Sequence, residues 1–411
     1  MKPATAAANS LLTAAAVRER SHRLLVLGLD GKLQHFRVEL DRLEAAADLV
    51  IDCMRATYPR LDVPLHSRWR HFSVDGEDRL ARLARTASWQ DRAEGARAAF
   101  DLAILSVLLD AGADSRWRYR DPHTGRCFGR SEGLALASLA MFAAGAVSAE
   151  RSKPLRVDAS ALLGLTRETL ARHFQVSDVN PLPDLAGRVT LLRRLGEVVV
   201  ANPGVFGRAD RPRPGGLFDH LLASNDSTSM SAPGVLAELL RHLGPIWPGR
   251  LQLGGVCLGD CWRHPGIETS DGTSQLVPLH KLSQWLAYSL IEPLQAAGLA
   301  VTDIDGLTGL AEYRNGGLMI DTGVLVLREP AAMHIAHDVG STLVVEWRAL
   351  TVALLDRLAE TVRRRLGMDR TTLPLVRLLQ GGTWSAGRKI AALRRRDGGP
   401  PLSVLSDGTV F

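Results

Sequence analysis

The chain has 411 residues, 46% of them hydrophobic and 23% charged, and a formal net charge of +6. That length allows one large core or two medium ones, and the composition excludes disorder as the general state. The basic residues are scattered apart from Arg363-Arg364-Arg365 and Arg394-Arg395-Arg396, triplets that suit helix ends better than a nucleic-acid groove, so a nucleic-acid partner is not expected.

Residues 4–17 are alanine-rich and faintly resemble a signal peptide. Asn9, Ser10 and Thr13 interrupt them, and Arg18-Glu19-Arg20 follows, so an amphipathic helix is expected. Residues 24–27 and 35–38 flank Gly31 and read as a small hairpin. Apolar residues three and four apart predict helices over 40–56, 91–109, 131–149, 185–198 and 234–243. The longest apolar run, 134–147, falls short of the about 20 residues that span a bilayer and reads as a core helix; no membrane partner is expected. Proline and glycine cluster over 202–216, the predicted long loop, which joins an N-terminal part (1–200) to a C-terminal catalytic part (217–411). Further helices are predicted over 275–297, 343–366, 373–380 and 383–396, with a second hairpin from 318–320 and 324–327 around Asp321-Thr322-Gly323. The expected fold is mainly α: a single large helical domain with two minor β-hairpins. Cys53, Cys127, Cys257 and Cys261 are too few for a disulfide scaffold and read as reduced thiols in a cytoplasmic protein.

On the helix over 275–297, Leu279, Leu282, Leu286 and Leu290 share one face, while Lys281, Gln284, Tyr288 and Glu292 share the opposite one. The second stripe suits either a solvent face or a polar pocket wall. Pro293 should kink or end the helix. Downstream, Asp303, Asp305, Glu312 and Asp321 lie among glycines. A calcium loop beginning Asp303-Ile304-Asp305-Gly306 fails, because Leu307 and Thr308 fall at the third-ligand and glycine positions and Arg314 at the terminal acidic one. Gly316-Gly317 lacks the Gly-Lys-Ser/Thr of a phosphate cradle. Glu312 is either part of a hydrogen-bonded turn or a catalytic carboxylate, with Arg314 beside it to keep it ionised.

On the helix over 343–366, Glu346 and Arg348 bracket an apolar face bearing Leu343, Trp347, Leu350 and Leu354. About 200° apart around the axis, they cannot pair with each other, so Arg314 and Glu312 are candidate partners. His264, His334 and His337 have no metal-ligand spacing, and neither a metal nor a cofactor is expected. His280 is a helix-end residue or a general acid. Residues 66–72, His-Ser-Arg-Trp-Arg-His-Phe, either clamp a phosphate-bearing substrate or form a surface segment with snorkelling arginines.

Residues 66–72, Trp117-Arg118-Tyr119-Arg120, 129–134, 213–219, 277–293, 307–318, 338–352, Gln380-Gly381-Gly382-Thr383-Trp384 and 407–411 together resemble the uracil catabolism protein four family, also called Urg3-like. The resemblance covers nearly the whole chain. It implies a step of pyrimidine degradation that cleaves ribosylurea, or its phosphate, to urea and a ribose species. More distantly, the chain is similar to the queuosine salvage nucleosidases, which show a Lys-x-x-Gln helix, an Asp-Tyr-Arg loop and a Glu-x-Arg helix in that order. Here these are Lys281 with Gln284, Glu312-Tyr313-Arg314, and Glu346 with Arg348; Glu312 stands in place of aspartate. That similarity implies a helical, DNA-glycosylase-like nucleosidase fold.

The implied activity is that of an N-ribosyl hydrolase acting on a small ribosyl substrate. Glu312 would stabilise the cation, with Asp303 and Asp305 as reserve acids. Lys281, Gln284, Tyr288, Tyr313, Arg314, Glu346 and Arg348 would bind substrate or hold Glu312. Two rivals are a non-catalytic nucleotide- or nucleic-acid-binding helical protein and another transferase or hydrolase of the same pathway. A phosphoribosyl transferase normally needs a pyrophosphate loop and an amidohydrolase a metal cluster, and the sequence shows neither.

Overall fold

The computed structural model describes residues 3–87, 89, 91–110, 116–207, 211–224, 228–247 and 250–405. Residues 407–411, and 208–210 of the predicted loop, lie outside these. Two compact units divide the described residues: one is drawn from 1–66, 249–284 and 303–406, the other from 67–248 and 285–302.

The first unit is organised by the helix Thr342–Leu366. Ser341 caps it by accepting from the Val344 N–H, Gly367 ends it in the left-handed region at φ 65°, and Arg363, Arg364 and Arg365 oppose its dipole in the last turn. It packs on the helices Ala14–Leu29 and Leu43–Thr57. In the second unit Arg92–Leu108, buried along most of its length, packs against Arg130–Ala143 and Leu185–Ala201. Its buried charges are paired, Arg97 with Asp219 and Asp101 with Arg213. The fold is mainly α. No helix among the described residues is long and apolar enough to cross a membrane.

The two predicted hairpins are corrected by the structure. Residues 24–27 belong to the helix Ala14–Leu29, and 318–320 to the helix Tyr313–Asp321. The remaining halves, Phe36–Val38 and Leu325–Leu327, pair antiparallel with each other. A run of four apolar residues fits a buried helix turn as well as a strand, and long-range pairing leaves no local trace. The predicted 275–297 helix starts later, at Lys281, because Leu276–Pro278 pairs with Cys261–Arg263. The predicted loop 202–216 contains a short helix, Pro203–Phe206.

Near the C-terminus Leu375–Leu378 runs into a π-helical turn, Leu379–Thr383, and then into Trp384–Arg394. Gly382 makes that turn possible against its neighbour: a Cβ there would lie 2.5 Å from Val50 Cγ1. Gly316 does the same for the helix Tyr313–Asp321, where an added Cβ would meet Trp347 Nε1 at 2.6 Å. Gly316 therefore serves close packing on Thr342–Leu366, whereas a Cβ on Gly317 would meet Pro401 at 3.1 Å.

Candidate functional site

Within the first unit, the loop before Cys261–Arg263 carries Asp260, and its carboxylate gathers three donors. Arg348 spans both oxygens at 2.8 and 2.7 Å, the Trp262 indole donates at 2.6 Å, and the Lys281 N–H donates at 2.9 Å. The last contact places an anion at the N-terminus of Lys281–Ala296, where the helix dipole favours it. Burial pushes the Asp260 carboxyl up, but Arg348, the indole and the Lys281 N–H outweigh it and hold it down at about 2. Asp260 is a permanent anion at neutral pH.

Arg348 also points its Nε toward the Ala311 carbonyl at 3.4 Å, one residue before Glu312. Glu312 is 9% exposed and is the N-cap of Tyr313–Asp321: its two oxygens accept from the Arg314 N–H at 2.9 Å and the Asn315 N–H at 2.7 Å. Asn315 is fixed in turn by Thr383 of the π-helical turn, whose hydroxyl donates to its amide oxygen at 2.8 Å. The sequence shows Glu312 beside Arg314; the structure adds that the backbone N–H of Arg314, rather than its guanidinium, meets the carboxylate. The guanidinium lies over the Tyr313 ring at 4.9 Å and donates to the Gly398 carbonyl at 2.9 Å.

Gln284 is buried and ties the first turn of its helix to the segment leading to Glu312. Its amide donates to Thr308 Oγ1 at 2.7 Å and accepts the Thr308 N–H at 2.9 Å. Lys281, half-buried, lies close enough to His66 to help depress its pKa. Burial first, against the Gln380 hydrogen bond, pushes His66 down to about 4 and leaves it neutral. His280, 1% exposed and at φ 47°, donates from Nε2 to the Leu11 carbonyl at 3.0 Å, which fixes the tautomer. Its Nδ1 is then a buried acceptor without a hydrogen-bond partner among the described residues. Burial lowers its pKa, with Asp260 opposing.

Glu346 is buried and meets His264 Nε2 at 3.2 Å and the backbone N–H groups of Gln34 and His35 at 3.2 and 3.0 Å, rather than Arg314. Asp305 joins another cluster, with Arg363 at 2.7 Å, and lines a cavity of about 280 Å³ with Arg18, His22 and Asp356. Asp303 is exposed. Tyr288 is fully buried and lies in the second unit. Of residues 66–72, Arg68 is fully buried and ion-paired with Asp110 at 2.9 Å, so that segment is not a surface clamp of free arginines.

Residues 10–411 match a family described as "Protein of unknown function (DUF1688)". The chain belongs to the DUF1688 family. "Uracil catabolism protein 4" of Lachancea kluyveri is 37% identical to it over 414 residues, 93% of each chain. "Protein urg3" of Schizosaccharomyces pombe is 37% identical over 411 residues, 98% of each chain. These matches bear out the Urg3-like resemblance read from the segments above.

In this DUF1688 chain the structure brings the segments of Lys281, Glu312 and Arg348 together through Asp260, Thr308 and Ala311. Sequence reading missed Asp260 altogether. Its one signal was indirect: a buried Arg348 that needed an anion. The cluster offers the buried Glu312 carboxylate, the largely buried Asp260 carboxylate, a half-buried ammonium and a neutral imidazole, a set suited to charge stabilisation at a polar substrate.

Proposed function

We propose that this protein is an N-ribosyl hydrolase that cleaves ribosylurea, or its 5′-phosphate, to urea and a ribose species. The name of the Lachancea kluyveri relative assigns that protein to uracil catabolism, and we carry that role to this chain. The observation that most supports the chemistry is the burial of Glu312 on a helix N-terminus beside the Arg348–Asp260 pair. Two backbone N–H donors fix its position. A fixed anion in a poorly solvated setting is worth far more to a developing cation than one in water.

In the reaction, the electron pair of the C1′–N bond leaves with the urea nitrogen and positive charge spreads over C1′ and the ring oxygen. Glu312 stabilises that charge. Overall one water is consumed: its hydroxyl goes to C1′ and its proton to the departing urea. Lys281 recognises the ribose hydroxyls or the phosphate. Asp260 and Arg348 are positioning residues, one holding the start of the Lys281 helix and the other reaching the carbonyl before Glu312. The DNA-glycosylase-like nucleosidase fold implied by the distant similarity is part of this proposal.

The test is urea release by the purified protein from ribosylurea and from its 5′-phosphate. Turnover of either supports the reading; no urea from either, with the protein folded by circular dichroism, rejects it.

A further inference from the structure

We propose that His220, Glu238 and His242, in the second unit, form a zinc(II) site with three protein ligands and an open fourth position. His220 lies in the last turn of Gly216–Ala223, and Glu238 and His242 lie one turn apart on Ala232–Leu243. Residues four apart share a helix face, so the second helix presents a carboxylate and an imidazole together to the first. Both Nε2 atoms converge on a single carboxylate oxygen, Glu238 Oε2, at 3.0 Å from His220 and 3.1 Å from His242. The candidate ligand atoms all lie within 4.8 Å of one another. Zinc–ligand bonds of about 2.05 Å in a tetrahedron set neighbouring ligand atoms about 3.3 Å apart, close to the 3.0 and 3.1 Å between Glu238 Oε2 and the two imidazole nitrogens.

Arg241 engages the other oxygen, Oε1, and leaves Oε2 at the centre of the triad. The imidazole rings stand nearly perpendicular, 82° apart with centroids at 4.9 Å, so their nitrogens approach the shared point from different directions. Side-chain exposures of 20%, 20% and 17% leave a way in for the ion. Two imidazoles and one carboxylate suit zinc over calcium or magnesium, which prefer all-oxygen shells. The bound ion would clamp the two helices across the segment that joins them.

The test is zinc binding to the full-length protein, stripped by chelator and then titrated with zinc sulfate against a chromophoric chelator. We expect about one zinc per chain with a Kd below about 1 μM, a rise in melting temperature on adding zinc, and visible absorption bands of low-coordinate cobalt when Co(II) replaces it. His242→Ala and Glu238→Gln should each lower the affinity at least about 100-fold. His220→Asn serves as a third variant if either fails to fold. No zinc bound by the wild-type protein below about 100 μM, or binding that all three variants retain, overturns the proposal and leaves the triad as an ion-pair cluster.

Discussion

Arg348 rests the two terminal nitrogens of its guanidinium on the two carboxylate oxygens of Asp260, 88 residues away in sequence. Arg348 is 1% exposed, so its guanidinium has no bulk water as an alternative to Asp260. Asp260→Asn leaves a buried cation without its counter-charge, and breaking such a pair costs about 3–5 kcal/mol. Urea denaturation should show a large fall in midpoint for Asp260→Asn and a smaller one for the double variant Asp260→Asn/Arg348→Met, which removes both charges. Equal midpoints for wild type and single variant would contradict the assignment.

Acid should destabilise the fold in two separable windows. His66, at about 4 when folded against 6.5 as its ordinary value, binds a proton more readily in the unfolded chain. Its contribution is complete above pH 6.5 and is lost as pH falls toward 4, amounting to about 3 kcal/mol. Asp260, at about 2 against 3.8, contributes fully above pH 3.8 and loses its contribution, about 2 kcal/mol, as pH falls toward 2. Unfolding free energies at pH 7 and pH 4.5 should therefore differ more for the wild-type protein than for His66→Gln. Identical pH dependence of the two would remove His66 from this account.

Gly316→Ala would bring a methyl group to 2.6 Å from Trp347 Nε1 and 2.9 Å from Thr351 Oγ1. Both neighbours sit on the buried face of Thr342–Leu366 and cannot swing into solvent. Overpacking of this kind costs about 1–3 kcal/mol. A thermal melt should register it as a lower transition temperature; an unchanged one would mean the two helices separate freely.

The long helices were legible because their apolar spacing is local. Arg92–Leu108, Leu185–Ala201 and Thr342–Leu366 lie within a few residues of the predicted spans. The strand segments Phe36–Val38 and Leu325–Leu327 were legible, but their pairing with each other across the chain was not, since register over that distance leaves no pattern in either segment. The site was half legible. Lys281, Glu312 and Arg348 stood out as charges beside apolar stripes, whereas Asp260 sits in a glycine-flanked turn with no periodicity to mark it. The N-cap role of Glu312 was hidden by its neighbour, because the sequence suggested a side-chain pair with Arg314 where the backbone supplies the donors.

If Lys281 meets a phosphate, Lys281→Ala should raise KM for the 5′-phosphate by about tenfold or more, which corresponds to losing one charge-assisted hydrogen bond of about 1.5 kcal/mol. KM for unphosphorylated ribosylurea should change less. Equal changes for the two substrates would assign Lys281 to the sugar rather than to the phosphate.

The most direct measurement is the rate of urea release from ribosylurea and its 5′-phosphate by wild-type protein and by Glu312→Gln. The glutamine keeps an oxygen for the helix N-terminus, so loss of the cap costs at most about 2 kcal/mol and the variant should fold. Its turnover should fall by a factor of about 100 or more, with the circular dichroism spectrum unchanged. Near-normal urea release by folded Glu312→Gln would show that the charge on this side chain takes no part in the reaction.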